Sequence, residues 1–192
     1  KHTVTYDDGD VKHYCLAKQK FRHILSFMDM PLKEWKGVTM GADGQVVKID
    51  FSWDRRYDTL EPMCKGGDVG NIVLPEGMQI ATFFHCKGLT GDITELNLPV
   101  GMKSVDFRHC EGLTGAIDKL VLPQGMRNVD LRQCKGLTGT LVAMPPSMKE
   151  FNITYTGVKI DVAAIEWPAN ATALVHDGRA LVCHGYDPDE SK

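Results

Sequence analysis

One phrase returns at a constant step, and this constrains the fold more than any other feature of the chain. Cys86-Lys87-Gly88-Leu89-Thr90-Gly91 comes back as Cys110-Glu111-Gly112-Leu113-Thr114-Gly115, and again as Cys134-Lys135-Gly136-Leu137-Thr138-Gly139. Each cysteine lies 24 residues from the next. Met78, Met102 and Met126 keep the same step, and so do Pro75, Pro99 and Pro123. Self-similarity at a fixed period, on the order of 20–50 residues, marks a solenoid or an array. One such unit buries too little apolar surface to fold alone, so neighbours stack and share a continuous core. Residues one step apart then hold equivalent places, and the sulfurs and methionines form columns inside the stack.

The spacing within one copy adds to this. In "MKSVDFRHCEGLTGAI" the apolar set is Met102, Val105, Phe107, Cys110, Leu113 and Ile117. The pattern L-x-x-L-x-L-x-x-C-x-x-L-x-G-x-I resembles the leucine-rich repeat family, whose period is roughly 20–29 residues. Its "LTG-x-I" continuation is similar to the subtype common in plant receptors. The resemblance implies an α/β solenoid with a parallel sheet on its concave side. It also implies that Cys86, Cys110 and Cys134 stand where such repeats place an inward Asn or Cys that donates to a neighbouring loop's carbonyl. Weaker copies extend the stack: "VVKIDFSWD" from Val46 with Ile49 and Phe51 inward, "MKEFNITYT" from Met148 with Phe151 and Ile153 inward, and "WPANATALV" from Trp167. About six coils are expected over residues 46–176, with an insertion at Trp53 to Met63 after the first.

Stack ends need caps. Residues 1–45 are expected to form a hairpin and helix cap. Ala17, Phe21, Ile24, Leu25 and Met28 recur with helical spacing, and Pro31 follows. "EWKGVTM" resembles the segment preceding the first coil in plant-type repeats, but Met40 stands where a cysteine is usual. The opening "VTYDDGDVKHY" reads as a β-hairpin about an Asp-Gly turn. It also resembles a short part of a Tudor-type barrel, which leaves a remnant of an upstream Tudor-like domain as the alternative. Residues 177–192 are expected to give a C-terminal cap, with a turn at Asp177-Gly178, and a disordered tail. A chain that starts at Lys1 is expected to come from a longer parent.

With a net charge of −3 and 24% charged residues, nothing global points to nucleic acid or an anionic membrane as partner. No apolar run approaches the roughly 20 residues that span a bilayer. Six cysteines are an even number, which is compatible with disulfides. The columnar spacing favours buried reduced thiols, and hence a cytoplasmic or nuclear setting. Sequons at Asn152 and Asn170 point instead to an extracellular receptor fragment. The catalytic motifs sought, such as G-x-S-x-G, H-E-x-x-H or a phosphate loop, are missing, and the "GLTG" glycines follow the structural period. No catalytic residue, cofactor or metal is assigned.

Outward positions alternate with inward ones along each strand. They place Asp106, Arg108, Asp130 and Arg132 in a chequered patch, which either pairs with itself or meets a partner. Phe84 and Tyr155 add aromatic area, and His85 and His109 should lie about one strand spacing, near 5 Å, apart. Arginine and large aromatics dominate binding hot spots. Trp53, Arg55, Arg56 and Tyr57 of the insertion form a second candidate surface. The expected function is non-catalytic recognition of another protein through the concave sheet and this insertion. The alternative is a targeting module of a larger protein that carries an upstream enzyme or chromatin-reader domain.

Overall fold

The structure is a computed structural model that describes residues 2–5, 11–14, 37–52, 66–169, 171–176 and 179–181. Its main element is an eight-stranded sheet. Six strands run parallel: Val46–Asp50, Ile80–Thr82, Ser104–Asp106, Asn128–Asp130, Glu150–Asn152 and Ala173–His176. Val38–Met40 and Arg179–Leu181 close the two edges antiparallel. The register equals the sequence repeat. Ser104 pairs with Ile80 on one side and Asn128 on the other. The next pairing, Asn128 with Glu150, spans two residues fewer. The chain is thus a stacked-coil parallel β-solenoid. Its six parallel strands bound about five turns, fewer than the six coils expected, because the last strand folds back into an antiparallel pair.

Five of the six parallel strands are entered through a proline corner. The carbonyls of Pro75, Pro99, Pro123, Pro145 and Pro168 accept from the N–H of Met78, Met102, Met126, Met148 and Ala171, at 2.9–3.0 Å. Proline has no N–H to extend the preceding segment, so it marks a reliable stop. The four methionines are buried and form one column of the core. Beside them Phe83 and Phe107 stack at 5.0 Å, and Phe51 tilts against Phe83 at 6.0 Å. Ile49, Val105, Phe151 and Ile153 all point inward and are buried.

The outer side corrects the α/β reading. Among the described residues there is no α-helix. A four-stranded parallel sheet (Gly67–Asp68, Leu89–Asp92, Gly112–Ala116, Gly136–Thr138) leads into 3-10 turns at Val69–Asn71, Ile93–Glu95 and Ile117–Lys119. The reason is length. The link from Ile93 to the Pro99 corner is short, and an α-helix advances only about 1.5 Å per residue against about 2.0 Å for a 3-10 turn. The two residues lost in the following coil come out of this link, between Gly139 and Pro145, and no 3-10 turn forms there. The helix expected over Ala17–Met28 lies outside the described residues. His2–Thr5 and Val11–Tyr14 pair antiparallel, His2 opposite Tyr14. No helix among the described residues is long and apolar enough to cross a membrane.

Candidate functional site

The face of the eight-stranded sheet that points away from the core carries the candidate site. Its strands are three to five residues long, and four of them, ending at Asp50, Asp106, Asp130 and Asn152, finish in the same local device. An Asp or Asn side chain accepts from the N–H two residues on. Asp106 Oδ1 holds Arg108 N at 2.9 Å, Asp130 Oδ1 holds Arg132 N at 3.2 Å, and Asn152 Oδ1 holds Thr154 N at 3.1 Å. Asp50 does the same for Ser52 N at 3.2 Å and also accepts from the Ser52 hydroxyl. These are Asx turns, in which a short side chain substitutes for a backbone acceptor and stops the strand.

The residue after the turn adopts a left-handed backbone. His85, His109, Gln133 and Tyr155 have φ of 62°, 61°, 65° and 57°. They are the non-glycine residues with positive φ among those described, and all four hold the equivalent place in successive coils. The ladder continues through them. His85 N donates to Arg108 O, His109 N to Arg132 O and Gln133 N to Thr154 O, each at 2.9 Å. The chain then turns inward. Cys86, Cys110 and Cys134 are buried reduced thiols, and they donate to the carbonyls of Phe51, Phe83 and Phe107 at 3.5, 3.0 and 3.0 Å. Burial pushes the Cys134 thiol up from 9.0 to about 12. It remains a protonated donor and not a nucleophile. Cys15, Cys64 and Cys183 lie outside the described residues.

The charges of the patch are mostly spent within their own strands. Arg108 Nε and Nη2 grip the Asp106 carboxylate at 2.6–2.9 Å, and Arg132 grips Asp130 at 2.8–3.1 Å. One link crosses coils, Arg108 Nε to Asp130 Oδ2 at 3.7 Å. The pairs are partly exposed, so each is worth about 0–1 kcal/mol. The Asp106 carboxylate raises the Arg108 pKa above its ordinary value, chiefly through that hydrogen bond.

Phe84, His85, Arg108 and His109 come together as one cluster. The imidazoles stack at 4.4 Å with planes 3° apart, closer than a bare strand spacing. Phe84 presents edge-on geometry to His85 and His109 at 4.5 and 5.8 Å. The Arg108 guanidinium carbon lies 4.6 Å from the centre of the Phe84 ring, a cation–π contact. Tyr155 stands apart from this cluster and is 60% exposed. Thr154 is buried, with its hydroxyl donating to Asn152 Oδ1 at 2.7 Å. Trp53, Arg55, Arg56, Tyr57 and the Asn170 sequon lie outside the described residues. Among the described residues no three His, Cys, Asp or Glu side chains are grouped as metal ligands.

Two features escaped residue-by-residue reading. The left-handed column mixes His, Gln and Tyr, so residue type gave no signal; the shared place in the repeat was the available clue. The second is a rim column, Lys103, Arg127 and Lys149, which follows the inward methionines by one residue and is exposed. No protein-family model matches the chain, and no curated protein matches it.

Proposed function

We propose that this chain is a non-catalytic recognition module of leucine-rich-repeat type that binds another protein through its concave sheet. The observation that carries the reading is the left-handed column of His85, His109, Gln133 and Tyr155. A left-handed backbone costs an L-residue roughly 1–2 kcal/mol, a cost that glycine avoids. The sequence uses glycine at positive φ elsewhere in the same coils, at Gly91, Gly115 and Gly139. At the concave corner it keeps large planar side chains instead, in four coils running. Side chains held against a local backbone preference point to a role for those side chains. Phe84 and Arg108 extend the same surface, and aromatic and Arg side chains are the ones that anchor protein interfaces. The insertion at Trp53 to Met63, with Arg55, Arg56 and Tyr57, belongs to the same proposal as an accessory contact. The buried reduced thiols suit a reducing compartment, the cytoplasm or nucleus.

Site-specific photo-crosslinking tests this. Benzoylphenylalanine is placed at His109 or Tyr155 on the concave corner, or at Val121 on the outer side, which is 80% exposed. The full chain is irradiated in the cells that make it, and adducts are identified by mass spectrometry. The expected result is one common protein adduct from both concave positions and none from Val121. Equal yields from Val121, or no adduct from either concave position, would overturn the reading.

A further inference from the structure

Resting on the concave-face reading, we infer that the partner presents an acidic segment, two or three Asp or Glu side chains aligned along one edge, to the basic rim made by Lys103, Arg127 and Lys149. The rim lies at the opposite end of the strands from the left-handed column. Its geometry is set by the backbone. Lys103 N donates to Gln79 O at 2.8 Å, Arg127 N to Lys103 O at 2.8 Å, Lys149 N to Arg127 O at 2.7 Å and Thr172 N to Lys149 O at 2.7 Å. Each of these carbonyls also accepts from the following N–H of the next coil, at 3.0 Å, so every rung is doubly tied. The three Cα positions are therefore stacked at about the strand spacing of 4.7–4.9 Å.

The cations on this rim differ from those in the middle of the sheet. Arg108 and Arg132 are already gripped by Asp106 and Asp130. Among the described residues, Lys103, Arg127 and Lys149 form no ion pair with a carboxylate. Lys103 is held instead by the neutral Gln79 Oε1 at 3.0 Å, which leaves its charge uncompensated and its direction along the column. A short row of aligned, uncompensated positive charge beside a self-neutralised sheet is complementary to carboxylates along one edge of a partner.

The same arrangement disfavours a nucleic acid. A polyanion laid across the face would carry unbroken charge over the carboxylates of Asp106, Asp130 and Glu150, one to three residues along the chain from the rim. A chain with net charge −3 offers little to offset that repulsion. A peptide places its carboxylates only along the rim and turns uncharged side chains towards Phe84, the histidines and Tyr155.

Fluorescence anisotropy of the full chain reads the inference directly. The probes are a labelled peptide of alternating Glu and Ala, its Gln-for-Glu counterpart and a labelled oligothymidylate. The Glu peptide should bind best, and its affinity should fall as salt screens the rim. K103E/R127E/K149E should weaken that binding by about tenfold, and K103Q/R127Q/K149Q by less. The rim side chains are exposed, so both variants should keep the parent's unfolding midpoint. Equal binding of the Glu and Gln peptides, no change on charge reversal, or tighter binding of the oligothymidylate would each overturn it. Photo-crosslinking separates this failure from that of the wider reading. If adducts at His109 and Tyr155 survive in K103E/R127E/K149E, the acidic segment is rejected while the concave face stands. If the parent chain gives no adduct there, the concave face itself falls.

Discussion

Three successive coils bend into positive φ at two places, and the two are filled by different residues. On the outer side the bends are Gly91, Gly115 and Gly139, with φ of 101°, 117° and 90°. At the corner after the sheet strands they are His85, His109, Gln133 and Tyr155, with φ from 57° to 65°. The difference is steric. The small left-handed well open to L-residues lies near φ of about 50–70°, so the strand-end corner stays inside it and the outer bend does not. A Cβ on Gly91, Gly115 or Gly139 would also collide with the Oδ1 atom of Asp68, Asp92 or Asp118. One bend has no choice of residue. The other admits L-residues that are not β-branched at modest cost, and can therefore carry information for a partner.

Breaking the outer bend should have the largest effect. Gly115→Ala forces a side chain to φ of 117° and sets its Cβ against Asp92 Oδ1. That carboxylate cannot swing aside freely, because it accepts from Thr94 N at 2.9 Å and Thr94 Oγ1 at 2.7 Å. Those two bonds also hold its pKa below the usual value, so this support is present at neutral pH and lost as pH falls through the acid range. Gly115→Ala should lose about 3 kcal/mol, within the upper range for point substitutions. Urea denaturation reads the loss as a lower midpoint. G115A/D92A sharpens the contrast: relief of the clash should recover part of the stability, while the backbone cost remains. Full stability in Gly115→Ala would erase the distinction between the two bends.

The next effect belongs to the segment joining the strand-end corner to the core. Cys110 is fully buried, and its Sγ donates to Phe83 O at 3.0 Å. Cys110→Ala removes the sulfur and the donor and should cost about 1–3 kcal/mol, while Cys110→Ser keeps a donor and should cost less. One coil after Cys134 the equivalent residue is Thr156, whose hydroxyl turns to Ile153 O at 2.7 Å, so the thiol ladder ends there. The raised Cys134 pKa adds a pH signature. Above about pH 9 the unfolded thiol ionises while the folded one stays protonated to about 12, so the unfolded state binds fewer protons and stability falls as pH rises. Denaturation midpoints at pH 8 and at pH 10.5 should show the drop, and Cys134→Ser should reduce it.

The recurrence of Met, Cys, Gly and Pro made the stack and its inward columns legible. Ile49, Phe51, Val105, Phe107, Phe151 and Ile153 were readable from strand alternation, because one buried face imposes a period of two. The outer side was not legible, since "DITELNLP" carries no apolar pattern that separates a 3-10 turn from a short helix; the length of the link decides. The Asx turns were hidden for another reason. Asp106 and Asp130 look like surface charges of the patch, and only the geometry reveals that each closes a strand and binds its own arginine. Trp53, Arg55, Arg56 and Tyr57 break the period, which signals an insertion but gives no geometry for it.

The smallest effect is the most informative about the strand-end corner, because its sign is opposite. Gln133 sits at φ of 65°, half-buried, with its N–H in the ladder to Thr154 O. Gln133→Gly removes the left-handed penalty and keeps the rung, but loosens the unfolded chain. The first term is roughly 1–2 kcal/mol and the second roughly 0.5–1 kcal/mol, so the net should be a gain of about 0.5 kcal/mol. A raised urea midpoint at unchanged slope would measure it. His109→Gly should gain less or nothing, because it also dissolves the stack with His85 and the edge contact with Phe84. A corner that becomes more stable when its side chain is deleted is one that the folded state does not need, which leaves recognition as the use of that side chain. If Gln133→Gly instead destabilises the chain as Gly115→Ala does, the corner side chains are structural, and the case for this column as a binding surface is lost.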